Sequence, residues 1–98
     1  MIASIVIPDT VTSIGDSAFR GIGIVNLILG ESVATIGNDA FSNNMIASVS
    51  IPDSVVSIGS FAFDGNGITI LQLGIGLNDF ITKVKIFGFL NPKYLVEM

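Results

Sequence analysis

The side chains of this 98-residue chain that could do chemistry are eight carboxylates, four basic groups and a set of regularly spaced hydroxyls; histidine and cysteine are absent. The commonest general base and the commonest metal ligand are therefore missing together. Catalysis would still be open to a nucleophile with a positioned base, or to two carboxylates held at separated pKa values. Most of the acids instead recur at fixed positions, and Asp79 and Glu97, which fall outside the recurrence, suggest no pair. Asp9, Glu31 and Asp53 form one column, in which stacked carboxylates would repel and a calcium ion could relieve the repulsion by oxygen ligation. A solvated turn, or capping of local N–H groups, accounts for the same column without an ion. Ser13, Thr35 and Ser57 form a second column, of the kind that suggests ice or carbohydrate binding. Thr12, Ala34 and Val56 do not complete a neighbouring threonine column, so hydroxyl pairing across strands is the better account. Gly15, Gly37 and Gly59 are single turn glycines, without the lysine of a phosphate-cradling loop. No catalytic residue, cofactor or metal is assigned, and the chain is expected not to be an enzyme.

The elements that position these groups follow from one internal repeat, the feature to seek before any other. Residues 1–22, 23–44 and 45–66 align without a gap, and residues 67–77 begin a fourth unit that then departs. The first and third units share 14 of 22 residues. All three share Ile2/Ile24/Ile46, Val11/Val33/Val55, Ile14/Ile36/Ile58, Gly15/Gly37/Gly59, Ala18/Ala40/Ala62 and Phe19/Phe41/Phe63. Within a unit, Ile2, Ile5 and Ile7 around Ser4 and Val6 predict a strand of period two. Pro8, Gly30, Pro52 and Gly74 end it. A short extended segment runs from Val11 to Ile14, and a glycine then turns the chain. Asp16, Asn38 and Ser60 follow that glycine, and all three are preferred helix N-caps. A single helical or 3₁₀ turn with Ala and Phe facing inward is therefore expected in each unit. One unit cannot bury its apolar side alone, but stacked units in parallel ladders can.

Composition agrees with burial: half the chain is apolar and 12% is charged. Mean hydropathy is +0.80, yet the apolar runs Ile22–Leu29 and Ile68–Leu77 are broken and too short for a spanning helix, which needs roughly 20 apolar residues. No membrane span is expected. A net charge of -4 argues against binding a phosphate backbone, so no nucleic-acid partner is expected. Charge is uneven: up to residue 82 Arg20 is the lone base, whereas Lys83, Lys85 and Lys93 lie in the last sixteen residues. Without cysteine the redox compartment is unreadable, and Met1 leads into patterned sequence with no basic signal-peptide region.

The pattern Ile-x-x-Ile-x-Ile-Pro-Asp-x-Val-x-Ser-Ile-Gly-x-x-Ala-Phe resembles the BspA-like leucine-rich repeats over residues 1 to about 77. That family usually carries Cys or Asn shortly after Ala-Phe; Asn44 and Asn66 conform and Ile22 does not. The resemblance implies a curved, mainly β solenoid, often on cell-surface or secreted proteins that bind other proteins. The compartment of this chain is left open.

The expected architecture is one domain over 1–98: a leucine-rich-repeat-type solenoid with parallel strand ladders, a short helical or 3₁₀ turn per unit and a degenerate capping unit at 78–98. In the cap, Ile81, Val84 and Ile86 repeat an earlier spacing with Lys83 and Lys85 opposite, and residues 81–87 could continue the ladder or fold back as a hairpin. The exposed positions of the main strands are expected at Ser4, Val6, Asn26, Ile28, Ser48, Ser50, Ile70 and Gln72. They form the concave face on which a protein partner would dock. The first strand is bare and uncharged, so either the chain belongs to a longer array or another chain covers Ile2, Ile5 and Ile7, as in a homodimer through that edge. A protein-binding or adhesion module is the leading function; a purely structural or self-associating repeat is the competing one.

Overall fold

The computed structural model describes residues 3–75. Ile2, the capping unit at 78–98 and the question of how residues 81–87 fold lie outside the described residues. Within them the chain coils at a strict 22-residue pitch. Each coil contributes a main strand and a shorter second strand: β1 (Ser4–Val6) and β2 (Ser13–Ile14), β3 (Asn26–Ile28) and β4 (Thr35–Ile36), β5 (Ser48–Ser50) and β6 (Ser57–Ile58), then β7 (Ile70–Gln72). Every pairing is parallel and joins residues 22 apart, as in Ile5 with Leu27 and Ile14 with Ile36. The second strands form one sheet in the order β2-β4-β6.

The main strands do not form one continuous ladder. They pair as β1-β3 and β5-β7, and no ladder joins β3 to β5. The interruption falls where a strand ended by Gly30 is followed by one ended by Pro52, which has no N–H to offer. Within each pair the approach is close. A Cβ on Gly30 would stand 2.4 Å from the Pro8 carbonyl oxygen, and one on Gly74 equally near that of Pro52. The alternation of Pro and Gly at strand ends, visible as the stronger likeness of the first and third units, is thus a packing alternation. Across the interruption the coils are held by β4-β6, by Met45 N–H to the Ile24 carbonyl at 2.8 Å and by Ser54 Oγ–H to the Val33 carbonyl at 2.8 Å.

Inside the coils, apolar side chains stack in columns. Ile24, Ile46 and Ile68, Val33 and Val55, and Phe41 and Phe63 are buried. Phe19, Phe41 and Phe63 form an aromatic stack with centroids 5.3 Å apart and interplanar angles of 4° and 11°, within the range in which offset rings attract. In the first coil Ile5, Val11, Phe19 and Ile22 are only partly buried, because among the described residues no coil lies beyond them.

The segment around Ala-Phe is not helical. Ser17, Asp39 and Phe61 have φ of 56°, 58° and 59°, in the left-handed region. A residue there cannot sit in a right-handed helix, and the chain makes tight turns instead, with Ala18 N–H to the Gly15 carbonyl and Arg20 N–H to the Ser17 carbonyl, both 3.3 Å. Nor do Asp16 and Asn38 cap their own turn. Asp16 Oδ1 accepts from Asn38 N–H, and Asn38 Oδ1 from Ser60 N–H, each at 2.8 Å. The capping chemistry is present, but it acts from one coil to the next.

The glycine before these residues makes that link possible. A Cβ on Gly37 would lie 2.5 Å from both the backbone nitrogen and Oδ1 of Asp16, and one on Gly59 would lie 2.4 Å from the same atoms of Asn38. At Gly15 a Cβ would meet nothing within 4 Å. Gly37→Ala is therefore expected to destabilise the chain by about 1–3 kcal/mol through overpacking, while Gly15→Ala stays within about 0.5 kcal/mol of the parent. Thermal unfolding of the two variants checks this. Phe61 is 44% exposed, so in Phe61→Asn, which tolerates the left-handed region, relief of about 1 kcal/mol of backbone strain is expected to offset the ring burial that is lost and to leave the melting temperature near the parent's.

Candidate functional site

All eight expected main-strand positions point outward. Ser4, Asn26, Ser48 and Ile70 make one exposed column, and Val6, Ile28, Ser50 and Gln72 make the next. Val6 and Ile28 are 66% and 61% exposed and stand side by side in the β1-β3 register, which fuses them into one apolar spot. Ile70, 58% exposed, sits beside Ser48 at the far corner of the other column and does not join them. Exposed apolar side chains also occur elsewhere, at Val56 and Met45. Exposure alone therefore does not single out this face.

Concavity does. A groove of about 790 Å³ crosses the C-terminal ends of the main strands, running along the stack over all four coils. Its lining brings Val6 and Ile28 together with Ser50 and Gln72, and with Asp9, Glu31 and Asp53 from the turns that follow the strands. Each main strand puts its last outward residue into this surface, while Ser4, Asn26, Ser48 and Ile70 lie outside the lining, and the strand-end turns of the first three coils each put one acidic residue along its border. Two of those acids also do structural work. Asp9 Oδ1 accepts from Glu31 N–H and Asp53 Oδ1 from Ile75 N–H, both at 3.0 Å. Among the described residues no three His, Cys, Asp or Glu side chains gather as a metal site would require. The acidic column thus has a role as coil-to-coil caps. The groove itself was not foreseen from the sequence, although the acid two residues after each of Ile7, Leu29 and Ile51 was its available signal.

The edge candidates are placed differently. Ile5 is half-buried against the core, while Ile7 is buried and its N–H donates to the Ile28 carbonyl at 2.9 Å. Both side chains therefore belong to the interior, and among the described residues nothing covers the end face of the first coil.

Two asparagines, Asn44 buried and Asn66 partly buried, tie coil to coil where each unit passes into the next. Asn44 Oδ1 accepts from Ile22 and Ile24 N–H at 3.0 Å, and its Nδ2 donates to the Phe19 and Phe41 carbonyls at 2.9 Å and to that of Ser42 at 3.3 Å. Asn66 repeats the arrangement with Ile46 N–H and the carbonyls of Phe41, Phe63 and Asp64. Each asparagine reaches back to the previous coil, so the first coil can carry Ile22 at this position and still be served, by Asn44.

Comparison with known proteins fits this geometry. The model of the BspA type leucine rich repeat region matches residues 1–91 in six copies, continuing past the residue-77 limit of the sequence resemblance. The chain belongs to that family. A solved structure of a leucine rich cell surface protein from Faecalibacterium prausnitzii A2-165 is similar, with a TM-score of 0.71 and 27% identity over 74% of this chain. The chain spans 20% of that protein's length. No curated protein matches the chain. Among the described residues no helix is long and apolar enough to cross a membrane.

Asn44→Ala removes both halves of a buried network and leaves two coils' carbonyls and N–H groups unpaired. The expected loss is about 3 kcal/mol or more, since each stranded buried group costs about 1–3 kcal/mol. Chemical denaturation of the variant beside the parent measures it.

Proposed function

We propose that the chain is a non-enzymatic repeat module that binds a protein partner through its main-strand face. The observation that carries the reading is the groove across the strand ends, with the exposed Val6–Ile28 spot in its lining. Parallel strands support this surface, and its outward strand residues Val6, Ile28, Ser50 and Gln72 are exposed and lie outside the core that holds the coils together. The similar cell surface protein supports the same class of role. Panning a displayed peptide library against the whole chain tests it. Selected peptides are expected to lose at least about tenfold in affinity for the Val6→Ser/Ile28→Ser double variant, as loss of an apolar anchor brings, while its melting temperature stays near the parent's. Selected peptides that bind the double variant as well as the parent would remove the main-strand face as the binding surface.

A second reading, self-association through the end face of the first coil, is favoured by one observation. Gly15 has neither a positive φ nor a neighbour within 4 Å of a Cβ, whereas its equivalents Gly37 and Gly59 each admit the backbone of an adjoining coil. A second copy seated on Ile5, Val11, Phe19 and Ile22 would give Gly15 the same duty, and two identical end faces would close as a dimer. Light scattering is expected to show a dimer at high micromolar concentration that Gly15→Leu abolishes without lowering the melting temperature. A monomer throughout that range would rule the reading out.

A further inference from the structure

Resting on the main-strand reading of function, we infer that the groove takes an extended, basic peptide segment, laid along the stack with apolar side chains on Val6 and Ile28 and lysine or arginine side chains toward Asp9, Glu31 and Asp53. Three observations converge. The first is shape: the groove runs across coils and not along one strand, so its occupant must cross several repeats. Asp9 and Asp53 are two coils apart, a span of about 10 Å at the usual strand spacing, which an extended chain covers in about three residues.

The second is charge. Among the described residues, three of the six acids border this one groove and no basic residue lines it. Arg20, the base of the described region, lies on the turn after Ala18-Phe19 and is not part of the lining. No ion pair is formed by these acids within the described residues, and each is exposed. Asp9 and Asp53 each use Oδ1 on a backbone N–H of the next coil, which fixes the carboxylate in place. A carboxylate so oriented can accept from a cation without a further loss of rotamer freedom, the cost that makes most surface ion pairs weak.

The third is the mixture of chemistries. A floor that is apolar at Val6 and Ile28 and hydroxylic or amidic at Ser50 and Gln72 suits a peptide better than a small cation or a polyamine. A small cation would gain nothing from the apolar spot, and an acidic or phosphorylated segment would be repelled by the border. Opposite potentials across such an interface set both specificity and encounter rate.

The test uses the full chain and a fluorescein-labelled peptide of alternating Lys and Val, with Glu–Val and Ser–Val peptides of equal length beside it. Anisotropy titration at low salt is expected to show binding of the Lys–Val peptide, no binding of Glu–Val and at least about tenfold weaker binding of Ser–Val, with the Lys–Val affinity falling steeply as salt rises through the screening range. The triple variant Asp9→Asn/Glu31→Gln/Asp53→Asn keeps the Oδ1 acceptors and removes the charge, so it is expected to fold as the parent does and to bind Lys–Val at least about tenfold more weakly. Asp39→Asn/Asp64→Asn, which neutralises two acids outside the groove, is the control and is expected to leave binding within about twofold. An equal loss in the control and the triple variant would reduce the effect to net charge and overturn the proposal. Equal binding of Ser–Val and Lys–Val would overturn the basic-segment assignment while leaving the main-strand face as a docking surface. No binding of Lys–Val would overturn the proposal outright.

Discussion

Each coil of this chain must satisfy backbone groups that belong to its neighbours. A 22-residue unit with strands of two or three residues and no helix holds too few hydrogen bonds within itself to be stable. Its donors and acceptors are paired laterally instead. Ser17, Phe19 and Gly21 N–H donate to the carbonyls of Asn38, Ala40 and Ser42, each 21 residues on, at 2.8–2.9 Å. Ladders, asparagine bridges, Asx caps and the phenylalanine stack all express the same constraint, that equivalent atoms of adjoining coils stay one strand spacing apart.

That constraint explains several residue choices that otherwise look unrelated. Glycine stands at 37 and 59 because a Cβ would occupy the space through which the previous coil's Asx side chain reaches the next N–H. It stands at 30 and 74 because the preceding proline carbonyl fills that space. Asn44 and Asn66 are asparagine because the site needs an acceptor and a donor in one uncharged side chain, pointed at two coils at once. A carboxylate would supply only acceptors there, and would have to be buried charged. The stack thereby spends its polar side chains on the coil-to-coil joints, and the main-strand face is left free to vary. Serine, valine, asparagine and isoleucine alternate on that face with no evident structural demand, as expected for a surface whose chemistry can be set by what it binds.

Much of this was legible in the sequence, because its signals were periodic. The period-two alternation in Ile2–Ile7 separates Ser4 and Val6 from Ile5 and Ile7 without reference to any neighbour, and the 22-residue recurrence aligns the columns. The direction of the Asx caps was not legible. The local rule reads Asp16 as serving a donor two or three residues on, whereas the actual donor, Asn38 N–H, is 22 residues away. The left-handed turn was hidden because Ser17, Asp39 and Phe61 share a conformation but no side-chain property. The break between β3 and β5 depends on how Pro52 follows Gly30 across a joint, which no single unit displays. The groove arises only when turn acids and strand residues from all four coils are brought together, so residues readable one by one did not announce it.

Amide hydrogen exchange, followed residue by residue in the parent and in Asp16→Ala, tests most directly whether side-chain links between coils hold this structure. If they do, the N–H groups of Asn38 and Ser60 exchange slowly in the parent although both lie at the surface. In Asp16→Ala the Asn38 amide loses that protection by about an order of magnitude or more, as the loss of a hydrogen bond worth about 1–2 kcal/mol requires, and Ser60, still bonded to Asn38, exchanges nearly as before. Rapid exchange of both amides in the parent, or equal acceleration of both in the variant, would contradict a stack held coil by coil.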